Sequence, residues 1–447
     1  MVEQKLTEKP DLLALAAADS VFFPALLESR SQNSKTGRYD ILMAAPACQL
    51  VAFDYPQLEQ LLSTIDSQPS QQVLGSEDSD SPFQWGWLVY FSYESAYGLE
   101  PGLAGYKSQS KQPLAVAIYC QGCVVYDHHS GTTTLWSKNP EVATSVAEKL
   151  AEKPLFQAAE IDINALTQAD GEVFKAAVVK AKELITTGDI YQANLSRQYH
   201  SKINNNTPAA MLYDRLRSAN PAPFCALLQL SDFAVISSSP ERLFKIQGEW
   251  IETRPIAGTR PRGDSAAADA ALVKELLETP KERAEHIMLI DLERNDVGRV
   301  SQSGTVQVDE LMAIESYQHV HHIVSNVKGK LQQGVGFVDA LRALFPGGTI
   351  TGCPKIRCMQ IIHDIESSPR GAYTGSLGYL NHDGRCDLNI LIRTVCLHGD
   401  EVTFNAGAGI VFDSDPIAEL EETRHKAEGM VRAMTQSKTK TTSSSVP

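Results

Sequence analysis

The sequence predicts an α+β layered fold, in which antiparallel runs of strands are set between helices without the regular strand-helix alternation of a doubly wound sheet. Three observations carry this. Strand-like stretches at 224–230, 233–237 and 243–246 follow one another with no helix between them, interrupted only by short turns and by Pro240-Glu241. Helical periodicity over 174–185 ends at Gly188, a residue suited to a helix C-terminus, and helical patterns recur at 209–217 and 281–291. With 447 residues, 43% hydrophobic and 21% charged, the chain has the material for a sizeable core.

In chain order, residues 1–20 are polar and then alanine-rich, which suits a short helix, and 22–29 form a strand-like apolar run. Two further strands are expected at 39–45 and 50–53. The Ser/Gln/Asp-rich stretch 67–82 lacks periodicity and is expected to be an exposed loop. Aromatic residues fill 85–94, a strand suited to packing between layers or to stacking on a ligand. Stretches 115–119 and 124–126 read as two strands joined by a Gln121-Gly122 turn. Around that turn Cys120 and Cys123, followed by His128 and His129, have the spacing of half a zinc site, which lacks a second well-spaced pair. Residues 139–170 begin helical and become linker-like, dividing an N-terminal part, 1–150, from a chemical part, 171–435. The Ser/Thr/Lys-rich tail 436–447 is expected to be disordered.

Lys plus Arg number 40 against 54 Asp plus Glu, and a net charge of −14 argues against nucleic acid as the main ligand. No apolar run is long enough to cross a membrane, and Met1 to Lys5 lacks a signal-peptide pattern, so a cytoplasmic protein is expected. The eight scattered cysteines suit reduced thiols better than a disulfide framework.

The chemistry concentrates between Ala343 and Thr394. Phe345-Pro346-Gly347-Gly348-Thr349-Ile350-Thr351-Gly352-Cys353-Pro354-Lys355 is a glycine-rich turn whose amides, free of Cβ atoms, can approach an anion, with Lys355 and Arg357 adding positive charge. Alone it reads equally well as a tight loop between core elements. Glu282 and Glu285 lie three apart on a predicted helix, and Glu419 and Glu422 repeat the spacing downstream. Each pair presents two carboxylates on one face, either to solvent or jointly to a hard cation such as Mg²⁺. Arg393 and Lys426 supply positive partners, so the set describes a carboxylate-bearing substrate bridged to Mg²⁺. Glu241, on a turn after a strand, is a candidate general acid if burial raises its pKa. In the run His319 to Ser325 a strand turns His321 and His322 to opposite faces.

From about Phe174 to Met434 these residues resemble the chorismate-utilising enzyme family. The resemblance rests on Pro255-Ile256-Ala257-Gly258-Thr259-Arg260, Asp291-Leu292-Glu293-Arg294-Asn295-Asp296-Val297-Gly298-Arg299, the glycine-rich turn, Asn405-Ala406-Gly407-Ala408-Gly409-Ile410 and Glu422-Thr423-Arg424-His425-Lys426-Ala427, in the family's order. It implies a large α/β sandwich of two facing antiparallel sheets with helices outside. It also implies Glu285 and Glu422 as Mg²⁺ ligands, with Glu282 and Glu419 behind them through water. Tyr373, Arg393 and Gly409 fall where the family holds a substrate carboxylate. Thr349 and His322 fall beside the ring and its leaving hydroxyl, and Glu241 at the general acid. Gln192, Ala257, Thr259, Gly348 and Lys426 complete the implied substrate site. Leu27, Glu28 and Ser29, with Pro223 and Phe224, resemble the segments lining a tryptophan pocket in the family, which makes bound tryptophan a further implied ligand.

Family members that add water resemble one another in carrying lysine at the position of Gln192. An amide is no base at neutral pH, so the implied nucleophile is ammonia. No Gly-x-Cys-x-Gly glutaminase motif occurs, which implies a separate glutamine amidotransferase subunit. The glycine-rich turn, Tyr191-Gln192-Ala193-Asn194-Leu195 and Asn220-Pro221-Ala222-Pro223-Phe224 point to 4-amino-4-deoxychorismate as product, whereas Ala257 points to anthranilate. A non-catalytic binding relative is the remaining reading, at odds with the presence of Glu241, Glu285 and Glu422.

Overall fold

A computed structural model of the full chain describes residues 1–31, 36–67, 81–158, 161–204, 208–317 and 320–435. The expected loop at 67–82 lies almost wholly outside the described residues, as does the tail 436–447.

The strands join into one continuous network whose pairings are all antiparallel. Its layering follows from the twofold alternation of strand side chains. In the strand Tyr39–Ala52, Ile41 and Met43 enter a core built almost entirely from strand residues, while Leu42 and Ala44 enter one shared with helices. The strand Phe224–Gln229 divides in the same way, Ala226 and Leu228 against Leu227, and so does Gly86–Phe91, Leu88 and Tyr90 against Trp87 and Val89. One core therefore lies between two sheet faces, and two lie between sheet and helix. This is the expected sandwich, with helices outside.

Several elements differ from the sequence reading. The first twenty residues hold a strand, Val2–Leu6, before the short helix Leu12–Ala18. The two strands expected at 39–45 and 50–53 are one, Tyr39–Ala52, with a register shift between Pro46 and Cys48 that absorbs the proline. The supposed turn at Gln121-Gly122 is the middle of the strand Ala115–Asp127. Gly122 is there for close approach: a Cβ on it would lie 2.9 Å from the Trp136 carbonyl oxygen. Cys120 and Cys123 are consequently buried in the strand core, and His128 is turned to Asp40 instead.

The N-terminal part is woven into the remainder. Ala25–Glu28 pairs with Phe224–Gln229, and Gly86–Phe91 pairs with Ser376–Asn381.

Candidate active site

The strand Gln192–Lys202 pairs with Glu401–Ile410, setting Asn194 opposite Gly409 and Ser196 opposite Gly407. Side chains cross over both glycines. A Cβ at Gly409 would lie 2.6 Å from Gln192 Nε2, and one at Gly407 would lie 2.5 Å from Tyr373 Oη. Gln192, Tyr373 and Gly409 are thus gathered at one place. Gln192 is 8% exposed, and among the described residues its Oε1 has no hydrogen-bond donor.

Glu241 follows Pro240 in the short break between strands Phe233–Ser239 and Arg242–Gln247, and Ile390 N–H fixes its carbonyl at 3.0 Å. Glu241 is 5% exposed, and its carboxyl accepts from Thr349 Oγ1 at 2.8 Å. Burial pushes its pKa up to about 7 and the nearby Glu293 adds to the rise, against the pull of Thr349, the Ile256 N–H and Lys426. The glycine-rich turn therefore delivers Thr349 to the acid. The rest of the turn is not an open anion cradle: Gly348 N–H points at Glu293 Oε1, 3.3 Å away, and Lys355 is ion-paired with Asp296. Arg357 faces Asp189 and Gln360. Gly348 is required by packing, since a Cβ would meet Leu292 Cδ2 at 2.5 Å.

Across from these, Ile256–Pro261 pairs with Val320–Lys330, Thr259 opposite His322 and Ala257 opposite Ile323. Thr259 Oγ1 lies 2.9 Å from His322 Nδ1. Burial, and then the charge of Arg393, lower the His322 pKa to about 4, so this imidazole is neutral at pH 7. The two histidines do face apart, His321 lying 2.8 Å from Asp269. Arg393 adopts a left-handed backbone, φ 51°, uncommon for a residue with a side chain and characteristic of functional sites. It donates to Asn220 Oδ1 at 3.3 Å, and among the described residues no carboxylate pairs with it. Burial accordingly lowers its pKa, and a substrate carboxylate would supply the missing countercharge.

The carboxylates expected to hold Mg²⁺ divide between the helices Pro280–Gly298 and Pro416–Thr435. Glu282 lies 3.2 Å from Arg260 and Glu422 lies 2.7 Å from Lys426, so both carry internal countercharges. Glu285 and Glu419 stand one turn from them on the same helices. Among the described residues no three His, Cys, Asp or Glu side chains converge closely enough to hold a metal ion. The donor chemistry is that of a hard-cation site, and the four carboxylates do not converge in this conformation.

The segments expected to line a tryptophan-type pocket lie side by side. Leu27 pairs with Ala226 and Glu28 with Cys225, while Ser29 Oγ donates to Tyr39 O at 2.8 Å and lies 3.4 Å from Pro223 O, beside Phe224. Glu28 is already occupied, accepting from Tyr213 Oη and from Arg217 Nη1, each at 2.7 Å.

Sequence reasoning passed over Glu293, Asn194 and the buried pair Arg370–Glu366. The first two stand inside motifs quoted for other reasons. The pair leaves only one sequence trace, an arginine next to a glycine after Ser368-Pro369.

Residues 24–432 match the family model described as chorismate binding enzyme, and the chain belongs to that family. It is 44% identical to the anthranilate synthase component I-like protein of Synechocystis sp., over 79% of this chain and 73% of that one. It is 41% identical to aminodeoxychorismate synthase component 1 of Bacillus subtilis, over 80% and 79%, and 35% identical to anthranilate synthase component 1 of Aquifex aeolicus, over 96% and 92%. The crystal structure of anthranilate synthase component I from Streptococcus pneumoniae superposes with a TM-score of 0.77 at 30% identity, covering 90% of this chain and 94% of that one. The menaquinone-specific isochorismate synthase of Escherichia coli, at 18% identity, shares the fold with a TM-score of 0.75 over 97% and 94%. No described helix is long and apolar enough to cross a membrane.

Proposed function

We propose that the chain aminates chorismate with ammonia to give 4-amino-4-deoxychorismate, the precursor of 4-aminobenzoate and folate, drawing ammonia from a separate glutamine amidotransferase subunit. The observation that carries this reading is the buried amide of Gln192 set against Gly409. An amide cannot deprotonate water, so on this reading the nucleophile arrives ready to attack. Glu241, neutral up to about pH 7, gives its proton to the ring hydroxyl, which leaves as water while the ammonia lone pair forms the C–N bond. The resulting ammonium group loses one proton, which restores Glu241. Arg393 holds a substrate carboxylate and neutral His322 offers a hydrogen bond without adding charge. Glu285 and Glu422, together with Glu282 and Glu419, are the residues that would hold Mg²⁺, and the cation would supply positive charge toward a substrate carboxylate.

Anthranilate is the second reading, favoured by Ala257, whose methyl group offers no nucleophile at that position of the strand Ile256–Pro261. Relatives bearing both names support chorismate as substrate without separating the products. The test is incubation of the purified chain with chorismate, Mg²⁺ and ammonium, followed by the lyase that releases 4-aminobenzoate. Lyase-dependent 4-aminobenzoate is expected. Fluorescent anthranilate formed without the lyase would establish the second reading.

A further inference from the structure

Three walls of the candidate site meet at one guanidinium. Arg370, its side chain 1% exposed, donates through Nη2 to the Asn194 carbonyl at 2.5 Å and through Nη1 to the Ile350 carbonyl at 3.2 Å and Thr374 Oγ1 at 3.3 Å. Its remaining N–H groups clasp Glu366, Nε at 2.9 Å and Nη2 at 2.7 Å, so all five are engaged. Asn194 is two residues from Gln192, Ile350 follows Thr349, and Tyr373 closes the turn that Arg370 begins, its N–H donating to the Arg370 carbonyl at 3.1 Å. Glu366 extends the grip by accepting from Ser196 N–H at 2.7 Å and Oγ at 3.1 Å. The N-terminal part adds Glu94, buried, which accepts from the Arg370 N–H at 2.7 Å and the Gly371 N–H at 3.1 Å, and Tyr93, whose ring lies 4.7 Å from the guanidinium. A buried ion pair is a weak device for stability, because desolvation offsets much of its attraction. What this one provides is a fixed distance between segments far apart in sequence.

We propose that Arg370, held by Glu366, is a positioning residue that sets Thr349 on Glu241 and aligns Gln192 and Tyr373 with them. In catalytic terms this rests on the amination reading above. The mechanical part, Arg370 acting on Thr349 and through it on Glu241, does not. Lysine at 370 keeps the charge beside Glu366 but cannot bond the Asn194 and Ile350 carbonyls and Thr374 together.

The test compares Arg370→Lys, Arg370→Met and Glu366→Gln with Thr349→Val in the full chain. Losing the Thr349 hydrogen bond raises the Glu241 pKa, because that bond favours the carboxylate. Glu293, Lys426 and the Ile256 N–H, which also act on Glu241, are untouched by these changes. In protein carrying ¹³C-labelled glutamate carboxyls, the titration near pH 7 that Glu241→Gln removes should move upward in Arg370→Lys and in Thr349→Val alike. The limb of the kcat profile should move with it, and kcat should fall about a hundredfold. Melting temperatures monitor folding, and Glu366→Gln supplies a milder variant if Arg370→Met fails to fold. A lowered melting temperature with the Glu241 titration and kcat unchanged would overturn the proposal and leave Arg370 a structural residue. A parent chain that consumes no chorismate would overturn the amination reading, while the titration would still decide whether Arg370 governs the Thr349 contact.

Discussion

Thr349 Oγ1 donates to Glu241 Oε1 at 2.8 Å, joining the glycine-rich turn to a carboxyl that burial keeps protonated to about pH 7. A general acid works only while it holds its proton, so the rate of chorismate consumption should fall as pH rises through about 7. Glu241→Gln should cost about 10²-fold or more in kcat and abolish that limb, as read from pH-rate profiles.

The same shift has a thermodynamic side. The folded pKa of Glu241, about 7, is raised above its ordinary 4.5, so its contribution to stability is complete below 4.5 and is lost as pH rises through 7. Glu241→Gln should therefore gain melting temperature over the parent at pH 8.5, and the gain should shrink towards pH 5, as followed by circular dichroism.

Gln192→Lys places an amine that can act as a base where the amide now lies. Chorismate consumption should become less dependent on ammonium, and a hydroxylated product should take up oxygen from ¹⁸O-labelled water, read by mass spectrometry. A product mixture identical to the parent's would separate Gln192 from the choice of nucleophile.

Arg393→Met removes a half-buried guanidinium that no carboxylate of the described residues balances. The KM for chorismate should rise by about tenfold or more, since a charge-assisted hydrogen bond to the substrate is lost. The melting temperature should hold or increase, because an uncompensated, half-buried charge is gone. Together the two readouts distinguish a ligand-binding arginine from a structural one.

Glu422→Gln weakens the proposed cation site from one helix and frees Lys426 from its ion pair at 2.7 Å. The Mg²⁺ concentration giving half-maximal rate should rise about tenfold, and a chelator should silence the parent enzyme reversibly.

Much of this molecule is written in local pattern. The apolar runs at 39–45, 50–53 and 224–230 are legible as strands, and the i, i+3 glutamates place themselves on their helices. The failures also have local causes. Gln121-Gly122 has the spelling of a turn, yet the glycine serves the close passage of Trp136, a neighbour fourteen positions on. Lys355 looks available to an anion until folding brings Asp296 against it. Arg370 is illegible for the strongest reason: its acceptors at Asn194 and Ile350 lie 176 and 20 positions away, and nothing in its own neighbourhood marks them.

The pairing of Gly86–Phe91 with Ser376–Asn381, and the reach of Glu94 to the Arg370 amide, also bear on how such a gene can change. A coding sequence shortened to begin near residue 171 would encode every candidate catalytic side chain, yet its sheet would have raw edges and its guanidinium hub would lack a support. Exchange of whole halves between homologous genes should succeed only when the strands 25–28 and 86–91 travel with partners they can anneal to. The N-terminal part is thus inherited as scaffolding for the remainder of the fold.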